Sequence, residues 1–243
     1  MKHWAVPAAC ALAMAAIWAL EANVALFRAL NSLATAEVLW ANITVLGDTV
    51  VAFALCLPLW RRRPDLLWAF VFVALLGTLW VHGLKPLFDI PRPPAVLPDV
   101  NVIGPAYKAH TFPSGHATTA FAIGGLYALG LQLRSGYVIF LSAATLAALS
   151  RAVVGVHWPL DILAGAFGGW LAAYAAIELA RRTARFGTKP WVQWLIALFL
   201  AGCALWLVIG HGKSGYPQAD LFQRAIGICC LALAAARLKR AAA

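Results

Sequence analysis

The sequence predicts an all-α fold, a polytopic bundle of membrane-spanning helices. Hydrophobic residues make up 63% of the 243-residue chain and charged residues 12%, whereas a soluble domain usually carries about 25% charged residues. A composition this apolar also excludes an intrinsically disordered chain. The five cysteines all lie within apolar runs, which favours buried hydrophobic roles over a disulfide framework or a metal site. A membrane protein is the class that remains.

Eight apolar runs approach the roughly 20 residues needed to cross a bilayer core of about 30 Å. In chain order they are 4–27, 38–60, 66–84, 117–133, 137–154, 160–179, 191–209 and 221–236. The first contains Glu21, and the last is short and contains Arg224, so these two are the weakest. Residues 1–16 also resemble a signal peptide, but the apolar run continues to Phe27, which favours a span. Asp48 lies inside the second run, where an ionisable residue has either a functional or a helix-contact role.

The basic residues predict the orientation of the bundle. With the N-terminus inside, twelve of the nineteen lie on the cytoplasmic side: Lys2, Arg61, Arg62, Arg63, Arg134, Arg181, Arg182, Arg185, Lys189, Arg237, Lys239 and Arg240. The other seven lie outside: Arg28, Lys85, Arg92, Lys108, Arg151, Lys213 and Arg224. This distribution obeys the positive-inside rule. We therefore expect both termini in the cytoplasm and the longest loop, 85–116, outside. The net charge of +10 then reflects topology rather than nucleic-acid binding.

Three polar clusters interrupt this apolar chain. They occupy residues 85–93, 113–116 and 150–161. All three fall at the predicted outer ends of the third to sixth runs. Segments far apart in sequence are therefore expected to meet at one membrane face.

The side chains of these clusters suit the binding of a phosphoryl group. Lys85, Arg92 and Arg151 supply three cations with many N–H donors. Ser114 and the backbone at Gly115 add neutral donors, and glycine allows a close approach. Ser114 suits the cap of the fourth helix and Pro159 the first turn of the sixth. Both helices would then direct their positive N-termini at one pocket.

Two histidines and a carboxylate add reactive groups to this pocket. Asp161 follows His157 by four residues, which is one helical turn, so it can accept the proton of one imidazole nitrogen and leave the other free to attack. His116 is a second imidazole that can protonate a leaving oxygen. A zinc site formed by His116, His157 and Asp161 is the alternative for these residue types, but three surrounding cations oppose a metal ion.

The three clusters together resemble the signature motifs of the type 2 phosphatidic acid phosphatase superfamily. The matching motifs are Lys85-x6-Arg92-Pro93, Pro113-Ser114-Gly115-His116 and Ser150-Arg151-x5-His157-x3-Asp161, with eleven fixed positions in order. The resemblance implies a six-helix phosphatase core over residues 1–185, with the outer loop 85–116. Residues 186–243 form a two-helix C-terminal extension, to which it assigns no role.

The resemblance also implies a role for each site residue. His157 would be the nucleophile that forms a phosphohistidine, and Asp161 would orient it. His116 would protonate the leaving group and then activate water. Lys85, Arg92, Arg151, Ser114 and Gly115 would bind the phosphoryl oxygens. The family needs neither a metal nor another cofactor.

The function expected from this resemblance is hydrolysis of a lipid phosphate or diphosphate at the outer, periplasmic face of a bacterial inner membrane. Undecaprenyl diphosphate is favoured, and phosphatidylglycerol phosphate, phosphatidic acid and lipid A phosphates are the other candidates. A lipid phosphotransferase with the same phosphohistidine is one alternative, because acceptor choice depends on pocket shape. A lipid transporter or lipid-binding protein is the non-enzymatic alternative. The bilayer and the lipid substrate are the expected partners, nucleic acid is not, and the oligomeric state stays open.

Overall fold

The computed structural model describes residues 2–210 and 214–242, and the side chains of 3–210 and 214–238. These residues form helices joined by turns and loops, with no strand among them. The α-helices are α1 (Lys2–Ala19), α2 (Asn23–Asn31), α3 (Glu37–Thr44), α4 (Thr49–Ala54), α5 (Pro64–Leu84), α6 (Pro93–Val96), α7 (Gly115–Gly130), α8 (Arg134–Val153), α9 (Pro159–Arg182), α10 (Ala184–Gly187), α11 (Pro190–Ile209) and α12 (Asp220–Ala242). The predicted all-α class is confirmed. Lys213 and the side chains of Lys2, Lys239 and Arg240 lie outside the described residues.

Five segments of the described chain are long and apolar enough to cross a membrane. They are Pro64–Leu87, Arg134–Val153, Pro159–Arg182, Pro190–Ile209 and Pro217–Leu238. These segments match the third, fifth, sixth, seventh and eighth predicted runs. The fourth run corresponds to α7, a 16-residue helix about 24 Å long that packs against α5, α8 and α9.

The first apolar run is not the single continuous span that the sequence predicts. The chain turns by 107° between α1 and α2, because Glu21 takes a left-handed backbone conformation with φ of 51°. After this turn α2 lies against α8 and α9. There the Asn23 side chain accepts a hydrogen bond from the Leu160 amide at 3.2 Å. The charged residue in the run thus marks a sharp bend.

The second run is also broken, with a bend of 61° between its halves. Asp48 lies at the break with an extended ψ of 138° and caps α4. Its carboxylate accepts hydrogen bonds from the amides of Val50 at 2.8 Å and Val51 at 3.2 Å. The half-buried carboxylate therefore satisfies backbone donors that the break would otherwise leave unpaired.

Close contact between α7 and α9 forms the centre of the bundle. A Cβ atom on Gly165 would lie 2.6 Å from the Ser114 carbonyl oxygen, and one on Gly169 would overlap the carbonyl of Thr118. Only glycine allows these two helix backbones to approach so closely. The beginning of α9 is consequently held next to the beginning of α7.

The C-terminal helices pack on the broken second run. α11 contacts α12 and α4, and the turn before α12 returns to α3. In this turn Tyr216 is 2% exposed and packs on Gly104 of the long loop, where a Cβ atom would lie 2.5 Å from the ring. The proposed boundary between residues 1–185 and 186–243 stays a prediction.

Candidate active site

The three polar clusters come together at one end of the bundle. Arg92 Nη1 lies 3.2 Å from His157 Nε2, and the Ser114 amide donates to the Asp161 carbonyl oxygen at 3.0 Å. Arg151, at the end of α8, is buried nearby and its charge acts on both Arg92 and His157. All eight residues singled out from the sequence contribute to this region, because α5 and α8 end where α7 and α9 begin.

Lys85, Gly115 and His116 lie on the wall of one cavity of about 190 Å³. Lys85 follows the last turn of α5, while Gly115 and His116 open α7. The opposite part of the cavity wall is largely apolar and includes Phe53 and Val73. The cavity thus joins a polar end at Lys85, Gly115 and His116 to an apolar end between α4, α5 and α7.

His157 is 2% exposed, and its two ring nitrogens have different surroundings. Nε2 faces the guanidinium of Arg92, which has only donors, so Nε2 must be the acceptor. The proton of the neutral ring then lies on Nδ1, which is 3.2 Å from Thr111 Oγ1 and 3.4 Å from Asp161 Oδ2. This tautomer leaves the Nε2 lone pair directed at the cationic side of the pocket.

Thr111 is a buried residue of this site that the sequence analysis missed. Its hydroxyl donates a short hydrogen bond to Asp161 Oδ2 and can accept the Nδ1 proton of His157. The same carboxylate oxygen accepts the Trp158 amide at 2.8 Å. Asp161 therefore contacts His157 directly at 3.4 Å, as the four-residue spacing predicts, and also through Thr111. The available signal was a hydroxyl residue three positions before the Ser114 cap.

The electrostatics of the pocket favour an uncharged imidazole. Burial, followed by the positive charges of Arg92 and Arg151, holds the pKa of His157 well below its usual value. Burial and the charge of Arg151 likewise lower the pKa of Arg92. Adding a phosphoryl anion would relieve this crowding of positive charge.

Arg92 is held in place from several sides. Its Nε donates to the Ala109 carbonyl oxygen at 2.9 Å and its Nη1 to that of Val156 at 3.1 Å. The guanidinium carbon lies 5.1 Å from the centroid of the Tyr107 ring. These contacts orient the Arg92 guanidinium before any ligand binds, which reduces the conformational entropy lost on binding.

Ser114 caps the N-terminus of α7, as the sequence predicts. Ser114 is fully buried and its Oγ accepts a long hydrogen bond of 3.4 Å from the Ala117 amide. The helix begins at Gly115, so its first amides point towards the polar end of the cavity. Among the described residues, no three His, Cys, Asp or Glu side chains form a group that could hold a metal ion.

Comparison with known proteins places this arrangement in a family. A sequence model of the PAP2 superfamily matches residues 65–185. Lipid A 1-phosphatase of Rhizobium etli is 40% identical over 82 residues, which are 33% of this chain and 34% of that protein. An undecaprenyl-diphosphatase of Sulfolobus acidocaldarius is 30% identical over 158 residues, which are 61% of this chain and 74% of that protein. The chain spans about a third of the length of the first relative and about three quarters of the second.

A solved structure supports the same assignment. The crystal structure of Aquifex aeolicus LpxE superposes with a TM-score of 0.61 at 30% identity, covering 64% of this chain and 94% of that one. The chain therefore belongs to the PAP2 superfamily, and the resemblance seen in the motifs is confirmed. The family match contains all eight candidate site residues and ends before the turn that carries Tyr216.

Proposed function

We propose that the protein is an integral-membrane phosphatase that removes phosphate from a lipid through a phosphohistidine. The observation that carries this proposal is the placement of His157. It is buried, its Nδ1 lies 3.2 Å from Thr111 Oγ1 and 3.4 Å from Asp161 Oδ2, and its Nε2 lies 3.2 Å from Arg92 Nη1. A nucleophile placed next to cations suits attack on a phosphoryl group, because the cations can bind the negatively charged oxygens while the nucleophile attacks phosphorus.

In the first step, the Nε2 lone pair attacks phosphorus and forms the N–P bond while the bond to the leaving oxygen breaks. His116 gives its proton to that oxygen, so the alcohol or lipid monophosphate leaves neutral at this atom. Lys85, Arg92, Arg151, Ser114 and the Gly115 amide bind the three phosphoryl oxygens. Asp161 and Thr111 stabilise the imidazolium as its charge develops.

In the second step, His116 accepts a proton from water, and the resulting hydroxide attacks phosphorus. The N–P bond breaks, its electron pair returns to His157, and orthophosphate is released. The three cationic side chains already supply the positive charge that a metal supplies in many phosphoryl-transfer enzymes. We therefore propose a reaction without a metal or another cofactor.

The shape of the cavity supports a lipid as the substrate. Its polar end contains His116 and Lys85, and its apolar end is lined by Phe53, Val73, Ala122 and Ile123. A headgroup phosphate would occupy the first while the hydrocarbon chain follows the second. The names of the Rhizobium and Sulfolobus relatives point to lipid A or undecaprenyl diphosphate. We favour undecaprenyl diphosphate, and phosphatidylglycerol phosphate and phosphatidic acid remain candidates.

We also propose the cellular placement that the basic residues predict. The protein would lie in a bacterial inner membrane with both termini in the cytoplasm. The polar end of the cavity would then open to the periplasm, where phosphorylated lipids of the outer leaflet are exposed.

The test is phosphate release by the purified protein in detergent, measured with EDTA present. The panel contains undecaprenyl diphosphate, a lipid A 1-phosphate, phosphatidylglycerol phosphate and phosphatidic acid. We expect His157→Ala to lose activity by about three orders of magnitude or more. His3→Ala is the matched control, because His3 stacks on Tyr174 in the second half of α9, far from the site.

Each outcome of the panel has a distinct meaning. Release by the wild type and by His3→Ala, but not by His157→Ala, supports a phosphatase at this site. Loss of activity in EDTA that added metal restores would contradict the metal-free reaction. Movement of labelled phosphate to a second lipid instead of water would identify the transferase. A folded wild type that binds lipid phosphates and releases nothing would contradict the enzyme and favour lipid binding or transport.

A further inference from the structure

Arg151 is held by two hydroxyl groups that lie outside the signature motifs. Its Nη1 donates to Thr44 Oγ1 at 2.7 Å and to the Tyr216 hydroxyl at 2.8 Å. The side chain is 2% exposed. Among the residues that the structure describes, no carboxylate is bonded to this buried guanidinium, so its orientation depends on these neutral acceptors.

The same guanidinium keeps an unused donor. Arg151 Nε is buried and has no hydrogen-bond partner among the described residues. A buried N–H group without an acceptor costs free energy, and a native structure rarely keeps one without a reason. A phosphoryl oxygen bound beside Arg151 would provide the missing acceptor.

Tyr216 reaches Arg151 from the C-terminal extension. It lies in the turn between α11 and α12, where the Ser214 hydroxyl accepts hydrogen bonds from the Gln223 side chain at 3.0 Å and the Tyr216 amide at 3.4 Å. The ring packs on Gly104, and its centroid lies 5.9 Å from the guanidinium carbon of Arg151. The turn thus places the Tyr216 hydroxyl within hydrogen-bond distance of Arg151.

We infer that Tyr216 is a positioning residue that orients Arg151 for phosphate binding, so that the C-terminal extension forms part of the active site. With Nη1 anchored by Thr44 and Tyr216, the guanidinium plane is fixed and Nε is kept for the ligand. This inference rests on the proposed function of the site. It assigns a role to the extension, which neither the motifs nor the family match reaches.

The test compares Tyr216→Phe with the wild type by titrating inorganic phosphate calorimetrically and by measuring kcat and KM. Removing the hydroxyl keeps the ring but leaves Nη1 anchored by Thr44 alone, so the guanidinium is held less firmly. We therefore expect the Kd for phosphate to rise about tenfold, as for one lost hydrogen bond to a charged group. KM for the lipid phosphate should rise with it, and kcat/KM should fall about tenfold. Thr44→Val removes the other anchor and should shift both quantities in the same direction.

Tyr127→Phe is the matched control. The Tyr127 hydroxyl donates to the Leu55 carbonyl oxygen at 2.5 Å, so this variant also loses one buried hydrogen bond. It should lower Tm to a similar degree and leave the phosphate Kd unchanged. An unchanged phosphate Kd in Tyr216→Phe would overturn the inference, because a purely structural hydroxyl would move Tm alone.

Two further outcomes are decisive. If Tyr216→Phe does not fold, Gly104→Ala keeps the hydroxyl but pushes the ring away from Arg151, and wild-type phosphate affinity in that variant would overturn the inference. Failure of every lipid substrate would contradict the proposed function alone, since inorganic phosphate still reports on Arg151. A wild type that binds no phosphate would overturn both.

Discussion

At the scale of single residues, the proposed chemistry depends on the different surroundings of the two nitrogens of His157. Arg92 faces Nε2, and Thr111 with Asp161 faces Nδ1. The nearest contact of Nδ1 is the Thr111 hydroxyl rather than the carboxylate. Since that hydroxyl donates to Asp161 and can accept the Nδ1 proton of His157, it links the carboxylate to the imidazole ring by two hydrogen bonds. Thr111 is therefore expected to affect the rate of reaction more than binding.

We predict that Thr111→Val lowers kcat by about tenfold and changes KM little, because the isosteric side chain no longer links His157 to Asp161. Thr111→Ser should keep most of the rate. Steady-state kinetics with the best lipid of the panel measure both constants. Thr145→Val serves as the control, since its hydroxyl donates to the Leu141 carbonyl oxygen of its own helix. Equal changes in KM and kcat for Thr111→Val would argue against a role in orienting the nucleophile.

The lowered pKa of His157 predicts a specific pH dependence. The ring must be neutral to attack, so the acidic limb of kcat/KM should appear as the pH falls through the folded-state pKa of His157, which lies well below 6.5. Arg92→Gln removes a neighbouring positive charge and should raise the pKa of His157, which moves the acidic limb to higher pH while the maximal rate falls. The substrate titrates identically in both measurements, so the difference reports on the enzyme. An acidic limb at the same pH in both proteins would contradict this assignment.

At the scale of elements, the breaks in two apolar runs bring polar groups to the site. The bend at Asp48 lets Gly47 approach the backbone of His116, where a Cβ atom would lie 2.9 Å from its carbonyl oxygen. The residue one turn earlier, Thr44, then reaches Arg151. Broken helices leave backbone groups that must be satisfied inside a membrane. Asp48 satisfies two of them, which explains a carboxylate within an apolar run.

The close crossing of α7 and α9 gives a prediction at this scale. In Gly165→Ala the new Cβ would meet the Ser114 carbonyl oxygen, so the helices must separate, at a cost of about 1–3 kcal/mol. Both Tm in detergent and kcat/KM should fall, since Ser114 moves with the helix. Gly202→Ala is the control, because a Cβ there meets nothing within 4 Å and alanine favours a helix. A Gly165→Ala variant as stable and active as Gly202→Ala would show that the crossing can relax.

At the scale of the whole molecule, net charge and its distribution along the chain determine the expected orientation. The candidate site lies where α5 and α8 end and α7 and α9 begin. The three cations of the site, Lys85, Arg92 and Arg151, therefore lie at the same end of the bundle. The opposite end carries the arginine-rich turns after Trp60 and after α9. Orientation in the membrane thus decides which leaflet supplies the substrate.

We predict that Lys108→Cys reacts with a membrane-impermeant maleimide added to intact spheroplasts, and that Arg62→Cys reacts only after the membrane is permeabilised. Both positions are exposed in loops at opposite ends of the bundle. The wild type, with its five native cysteines, gives the background labelling. The reverse pattern would place the site on the cytoplasmic face.

The sequence by itself determined the membrane class, the family and eight of the residues that meet in the candidate site. Composition reports directly on the solvent that a chain requires, and motif residues are recognisable because their spacing is local. Ser114 as a helix cap and Pro159 in a first helical turn were predictable for the same reason, since capping depends on a few neighbouring residues.

Only the tertiary structure decided how Thr111, Thr44 and Tyr216 join that core. Tyr216 lies 65 residues from the arginine it contacts, and Thr44 lies 107 residues away. No local pattern encodes such contacts, because they depend on where helices bend and cross. The bends at Glu21 and Asp48 were hidden for a similar reason: an apolar run looks the same whether its helix is straight or broken. The position and angle of both bends depend on how the helices pack, which the hydropathy of the sequence does not report.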